Sequence, residues 1–338
     1  MINRFSREYP DVCTLSEARE FTSQTLYDIF GNCPPPINDV MNHFSSAMGK
    51  NARAALLLTY AADNELNVPG AAVFAASAIE LFHLATLVHD DIIDDAPTRR
   101  GIESAQSKFG KKSAVIIGDY LLCLAMSAAL KAYESTKDKP TELDPSFKKY
   151  LPLLTRICEG EFNQLRNASN LELAPRTYLK IISGKTAELF RISAMTGAGF
   201  IPQERNETEL SKAGRFGWYV GMVFQIIDDC KDYQLDTANA QKPVRHDLPQ
   251  GVITLPIIMA LLRTPELISD VKDVLYSHKR VEDISDAIQQ SGGVEAAKSI
   301  AGRYAKKAAK LLDGGYTGKK REMLELILNK ALVASGSF

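Results

Sequence analysis

Three long stretches of this chain have the periodicity of helices and no competing reading. PGAAVFAASAIELFHLATLVHDDIIDD (69–95), SAVIIGDYLLCLAMSAALKAY (113–133) and ELSKAGRFGWYVGMVFQIIDDCKDY (209–233) carry apolar residues at helical spacing, and the first opens on a helix-compatible Pro-Gly. No regular series of short alternating segments accompanies them, and GVITLP is too short to define a sheet. Turn-forming residues gather instead at CPPPIN (33–38), ESTKDKPTELDPSF (134–147) and DTANAQKPVRHDLPQG (236–251), which read as loops. None has the look of an interdomain linker. The expected fold is all-α, a single-domain bundle of long helices around one core. It spans residues 1–338, with residues 1–38 as an N-terminal helical segment packed on the rest.

Charge narrows the function. The 40 basic and 41 acidic side chains leave a net charge of −1, which gives no electrostatic case for nucleic acid. Local acidic clusters therefore stand out. Five scattered cysteines (Cys13, Cys33, Cys123, Cys158, Cys230) without a C-x-x-C are read as buried reduced thiols. The N-terminus has no apolar stretch of the secretory type. The longest apolar run, 113–130, is interrupted by Asp119 and is read as a buried core helix, not a membrane segment. The expectation is a soluble cytoplasmic protein. The basic stretch 303–322 reads as a solvated helix face.

Two of the long apolar helices end in the same acidic pattern. HDDIIDDAPTRRG (89–101) and FQIIDDCKDY (224–233) both contain D-D-x-x-D. Positions i and i+4 share a helix face about 5–6 Å apart, so Asp90 projects with Asp94, and Asp228 with Asp232. Bare carboxylates at that spacing repel, and a hard divalent cation removes the penalty. Mg²⁺ takes oxygen ligands and completes its octahedron with water or phosphate oxygens. Basic residues close by suit those phosphate oxygens: Arg99 and Arg100, Lys50 and Arg53 in MGKNARA, Lys185 in SGKTAEL, and Lys242. SGKTAEL lacks the first Gly of a Walker loop, so a nucleotide hydrolase is unsupported. Glu80 and His83 form one E-x-x-H. A di-iron bundle needs a second, and the chain has none.

Together these motifs resemble the trans-isoprenyl diphosphate synthases, the polyprenyl synthetase family, from about residue 48 to 256. DDIID with RRG, and DDCKD with Phe224 and Gln225 before it, resemble the two aspartate-rich motifs. IIGDYLL, CEGEFNQL, YLKIISGKTAELF and DLPQGVITLP resemble the other family blocks. MGKNARA keeps Lys50 and Arg53 of the family's G-G-K-R-x-R-P but lacks one Arg and the Pro. The resemblance implies an isoprenoid-synthase bundle around a tunnel-like cavity. It implies Asp90, Asp94 and Asp228 as direct ligands of three Mg²⁺, supported by Asp91, Asp229 and Asp232. Arg99, Lys185 and Lys242 would hold the allylic diphosphate. Lys50, Arg53, His83 and Arg100 would hold isopentenyl diphosphate. Thr186 and Gln225 would lie near the developing cation, with Gln164 as a further pocket residue, and the oligomer would be a homodimer.

The implied reaction is ionisation of the allylic diphosphate, attack by the double bond of isopentenyl diphosphate, and loss of a proton. A class I terpene cyclase would share the first motif but would usually carry N-D-x-x-S-x-x-x-E for the second. A regulatory subunit of a heteromeric synthase would tend to lose the motifs. In the family the growing tail passes the residues four and five before the first motif, Thr86 and Ala85. Both are small and stand roughly 6–8 Å up the helix from Asp90. Phe82 is the candidate floor one turn further, and Ala75, Ala76 and Ala78 beyond it are again small; the expected product is C25 or longer, with C15 to C20 as the alternative should Phe82 or a residue of the facing helix close the tunnel.

Overall fold

The structure, a computed structural model, describes residues 7–45, 49, 51–136, 145–202, 205–233, 248–276, 281–313 and 315–333. Lys50 and Lys242 lie outside these residues. The described chain runs through α1 (Leu15–Gly31), α2 (Pro35–Ser45), α3 (Ala52–Ala61), α4 (Ala71–Ile93), α5 (Ala105–Phe109), α6 (Lys111–Glu134), α7 (Pro145–Arg166) and α8 (Pro175–Ile182). A π-helical turn, Ser183–Ala187, leads into α9 (Glu188–Ala198). Then come α10 (Glu207–Lys231), α11 (Leu255–Arg263), α12 (Ile268–Tyr276), α13 (Glu282–Gln290), α14 (Gly293–Leu312) and α15 (Gly318–Val333). Two short antiparallel ladders interrupt the helices: β1 (Val12–Thr14) with β2 (Asn67–Pro69), and β3 (Thr98–Arg99) with β4 (Ile102–Glu103). The chain is an all-α protein.

The three periodic stretches became α4, α6 and α10, each bounded within two residues of the expected limits. The loop expected at 33–38 is a correction. Helix α2 already starts at Pro35, because a proline in the first helical turn gives up no hydrogen bond. Helix α4 packs along α6, while α9 lies between α3 and α10, and α14 covers α10 and α11. Helix α1 rests on α3 and α4.

Helices α4 and α6 are each long and apolar enough to cross a membrane by length and composition, yet their surroundings differ. The most apolar window of α4 is 67% buried inside the protein and that of α6 only 39%. Helix α6 is thus not the buried core helix expected. It turns Ile116 and Met126 outward, each 66% exposed. Nor are all five thiols buried, since Cys123 and Cys158 are exposed.

Candidate active site

Both acidic motifs sit at the C-terminal end of a helix. Asp94 caps α4 and Asp95 turns left-handed at φ 50°, while the Ala96 amide donates back to the Asp91 carbonyl at 3.0 Å. This is the geometry of a helix stop with a left-handed residue just past the cap. Helix α10 ends at Lys231, with Asp232 as its cap. The last carbonyls of a helix carry partial negative charge, so carboxylates there face a field of the wrong sign. Two such helix ends raise a standing demand for cations.

The π-helical turn joins them. Lys185 Nζ lies 2.7 Å from Glu161 Oε2 and 3.8 Å from Asp90 Oδ2. The next residue, Thr186, donates to Gln225 Oε1 at 2.7 Å, and Gln225 Nε2 donates to Asp229 Oδ1 at 2.7 Å. Adjacent residues of one turn therefore reach the first motif directly and the second through Gln225. Two glycines allow this approach. A Cβ on Gly160 of α7 would stand on the Gly184 backbone, and one on Gly184 would stand 2.6 Å from the Arg156 carbonyl. Backbone meets backbone there, and Glu161 arrives beside Lys185.

The six motif aspartates divide by environment. Asp91 is buried and takes Arg99 Nε at 2.6 Å and Nη2 at 2.5 Å. Asp229 is also buried and accepts from Tyr178 Oη at 2.5 Å as well as from Gln225. These two brace the helix ends. Asp90, Asp94, Asp228 and Asp232 are less enclosed. Burial raises the Asp90 carboxyl, against the pull of Lys185 and Arg99. Burial and then the Asp90 charge raise Glu161. Burial alone would depress the Lys185 ammonium, but Asp90 and Glu161 outweigh it and the net shift is upward.

This all-oxygen donor set fits a hard divalent cation. Among the described residues no group of three His, Cys, Asp or Glu side chains is placed to hold a metal ion by itself. An open set suits an ion that draws its remaining ligands from water and phosphate.

A second, basic cluster lies on the α1 and α2 side of α4. Glu80 Oε1 accepts the Ala54 amide at 2.8 Å, tying α4 to the first turn of α3. That contact explains the solitary E-x-x-H: Glu80 caps a helix start, and His83 stands one turn on. Arg53 is buried over the Phe190 ring at 4.7 Å, and its Nε has no hydrogen-bond partner. Desolvation lowers Arg53 to about 10, which leaves it charged at neutral pH. Burial, then Arg53, Arg100 and Arg99, hold His83 well below 6.5. Arg100 comes from the turn joining β3 to β4, where Arg100 and Gly101 both have positive φ, 52° and 82°. A two-residue hairpin with two such positions explains the Gly of RRG. The Arg100 guanidinium fills the space a side chain at Gly49 would need. His83, Arg99 and Arg100 line one cavity of about 50 Å³ with Glu80 and Asp91.

Residues 34–291 match the model of the polyprenyl synthetase family. The chain belongs to the polyprenyl synthetase family. It is 31% identical over 296 residues to heptaprenyl diphosphate synthase component 2 of Bacillus subtilis, covering 87% of this chain and 81% of that protein. It is 32% identical over 286 residues to octaprenyl diphosphate synthase of Escherichia coli, covering 80% and 82%. The crystal structure of heptaprenyl diphosphate synthase from Staphylococcus aureus superposes with a TM-score of 0.80 at 27% identity, over 95% of this chain and 98% of that one.

In this synthetase, Phe82, Thr86 and Asp90 follow one another at i, i+4 and i+8 on α4, all half-buried. Thr86 Oγ1 donates to the His83 carbonyl at 2.8 Å. Ala85 points elsewhere: it is fully buried in the cluster that includes Leu81, Val88 and Leu121. Gln164 stands near Glu161, Nε2 to Oε1 at 3.5 Å. Glu161 and Tyr178 contact Lys185 and Asp229 in this cluster, and the motif spacing did not mark either. The only signal for Glu161 was an acid beside a glycine within CEGEFNQL.

Proposed function

We propose that this chain is a trans-prenyltransferase that condenses an allylic diphosphate with isopentenyl diphosphate to a long polyprenyl diphosphate, C25 or more. The observation carrying the reading is the π-helical turn, whose Lys185 faces the first aspartate motif while Thr186 is wired through Gln225 to the second. Bound Mg²⁺, three ions by family resemblance, would supply charge for the leaving diphosphate; Asp90, Asp94, Asp228 and Asp232 are the groups to hold it. Lys185 faces the same diphosphate and stabilises negative charge as the C–O bond breaks. The Thr186 and Gln225 dipoles stand beside the emerging allylic cation. Arg53, His83 and Arg100 hold the second diphosphate, and Arg99 braces Asp91 within reach of both. The departing diphosphate takes the proton lost after condensation. Lys50 and Lys242 complete the two diphosphate sites in this reading.

We further propose one domain over residues 1–338, a cytoplasmic location, and a homodimer formed through the outward faces of α6 and α7. Both helices expose apolar side chains: Ile116, Met126 and Leu130 on α6, and Leu151, Phe162 and Leu165 on α7. Incubation of the purified protein with Mg²⁺, farnesyl diphosphate and labelled isopentenyl diphosphate tests the reaction, with products sized by chromatography. Chains of C25 and longer are expected. Hydrolysis or cyclisation without incorporation of label would refute the condensation, and arrest at C20 would support the medium-chain alternative.

A further inference from the structure

Lys185 is the cation that the π turn brings to Asp90 of the first motif, yet its direct partner is Glu161. The ammonium lies 2.7 Å from Glu161 Oε2 and 3.8 Å from Asp90 Oδ2. Both ends of the pair are largely enclosed, with side-chain exposures of 23% and 15%. The contact is built into the backbone, because the crossing of Gly160 over Gly184 sets α7 directly on the π turn. A lysine head on four flexible carbons is a poorly aimed charge unless something fixes it. One charged hydrogen bond at 2.7 Å does so, leaving the ammonium between Glu161 and Asp90.

We propose that Glu161 is a positioning residue. It holds the Lys185 ammonium at the mouth of the aspartate cluster, aimed at the diphosphate the site receives. The proposal rests on the diphosphate-synthase reading and adds a residue whose action passes through Lys185. It also explains an arrangement that looks costly. Glu161 adds a carboxylate beside Asp90 and Asp94, and its own carboxyl is raised as a result of burial and that neighbourhood. A site meant only to collect metal ions would not commit this oxygen to a lysine.

A double-mutant cycle tests it in the full-length protein, using Glu161→Gln, Lys185→Ala and the pair. The primary readout is calorimetric binding of inorganic diphosphate in saturating Mg²⁺. Glu161→Gln is expected to weaken binding about tenfold in the wild-type background, in keeping with loss of one charge-assisted hydrogen bond. In the Lys185→Ala background the same change is expected to cost less than about twofold, since the group it acts through is gone. In turnover assays kcat is expected to fall with the KM for isopentenyl diphosphate unchanged, and Glu161→Asp to recover part of the loss. Wild-type affinity in Glu161→Gln overturns the proposal. So does an equal loss in both backgrounds, which would make Glu161 a direct metal or diphosphate contact. Wild-type protein that binds no diphosphate overturns the proposed function itself, a different result from either. Should Glu161→Gln not fold, as judged by its melting curve, Glu161→Asp carries the same cycle.

Discussion

Asn in place of Asp90 or Asp228 keeps the shape of the side chain and removes its charge, so the change reads the charge alone. Losing one such group from an electrostatic site commonly costs about 10²–10³ in rate, and either variant is expected to lose turnover on that scale while melting cooperatively. Near-normal turnover in steady-state assays would exclude these residues from the site. Asp94→Asn should split function from stability. It relieves repulsion at a helix C-terminus, so metal-free protein should melt slightly higher, by a few tenths of a kcal/mol, while activity falls. His83 gives a pH test. Its folded pKa lies well below 6.5 through burial and then Arg53, Arg100 and Arg99, so the folded state binds fewer protons here than the unfolded one. Stability must then fall as pH drops through about 6.5 towards the folded value, and be fully present above it. His83→Gln should flatten that part of the acid limb, and ring NMR of the wild type should show no His83 midpoint near 6.5. A midpoint at 6.5 or above contradicts the geometry. The aspartates were legible in the sequence because i and i+4 share a face whatever the tertiary fold. Glu161 and Tyr178 were not, because each reaches the site only through a crossing of distant elements.

Helices α4, α6 and α10 were readable from periodicity, since a long apolar face has one stable solution. The π turn was not. SGKTA has no periodic apolar face of its own to mark it, and in the fold its Gly184 packs closely against α7. The register of α4 separates the two positions expected to measure product length. Ala85 is 0% exposed among Leu81, Val88 and Leu121, whereas Thr86 is half-buried between Phe82 and Asp90 along the helix. A phenylalanine at 85 would overpack the α4–α6 contact at a cost of about 1–3 kcal/mol. At 86 it would stand on the stripe that leads away from Asp90. Thr86→Phe is therefore expected to shorten the product with condensation retained, and Ala85→Phe chiefly to lower the melting temperature. Product chromatography beside thermal melts checks both. If Ala85→Phe shortens the product without loss of stability, and Thr86→Phe leaves it unchanged, the two positions have been assigned the wrong way round.

At the scale of the whole molecule, α6 departs from a core helix for a physical reason. An apolar run such as 113–130 looks the same whether its second face meets its own core or another chain. The structure shows which face of the run the protein's own core covers and which it leaves exposed. Ile116, Cys123 and Leu130 recur at seven residues on the outward face of α6, with Met126 between them. Leu151, Cys158 and Leu165 recur likewise on α7, with Phe162 between. Apolar residues repeating every seven positions are the pattern by which one helix seats against another, and large exposed apolar patches are rare on monomers. At 1.5 Å per residue these helices, 24 and 22 residues long, extend over about 36 and 33 Å. That is ample for the roughly 800 Å² per partner of an ordinary stable interface. Both exposed thiols lie on these stripes, while Cys13, Cys33 and Cys230 are buried, and burial with the nearby Asp229 pushes Cys230 up to about 12. Association through the stripes would cover every thiol that a monomer leaves open. The wild type is therefore expected to sediment as a dimer and to react slowly with a thiol reagent at all five cysteines. Phe162→Glu combined with Met126→Lys puts unpaired charge into the seam. It should sediment as a monomer and release two fast-reacting thiols, lost again when Cys123 and Cys158 are replaced by Ser. Fast labelling of both thiols in a wild-type dimer would place its interface elsewhere on the molecule.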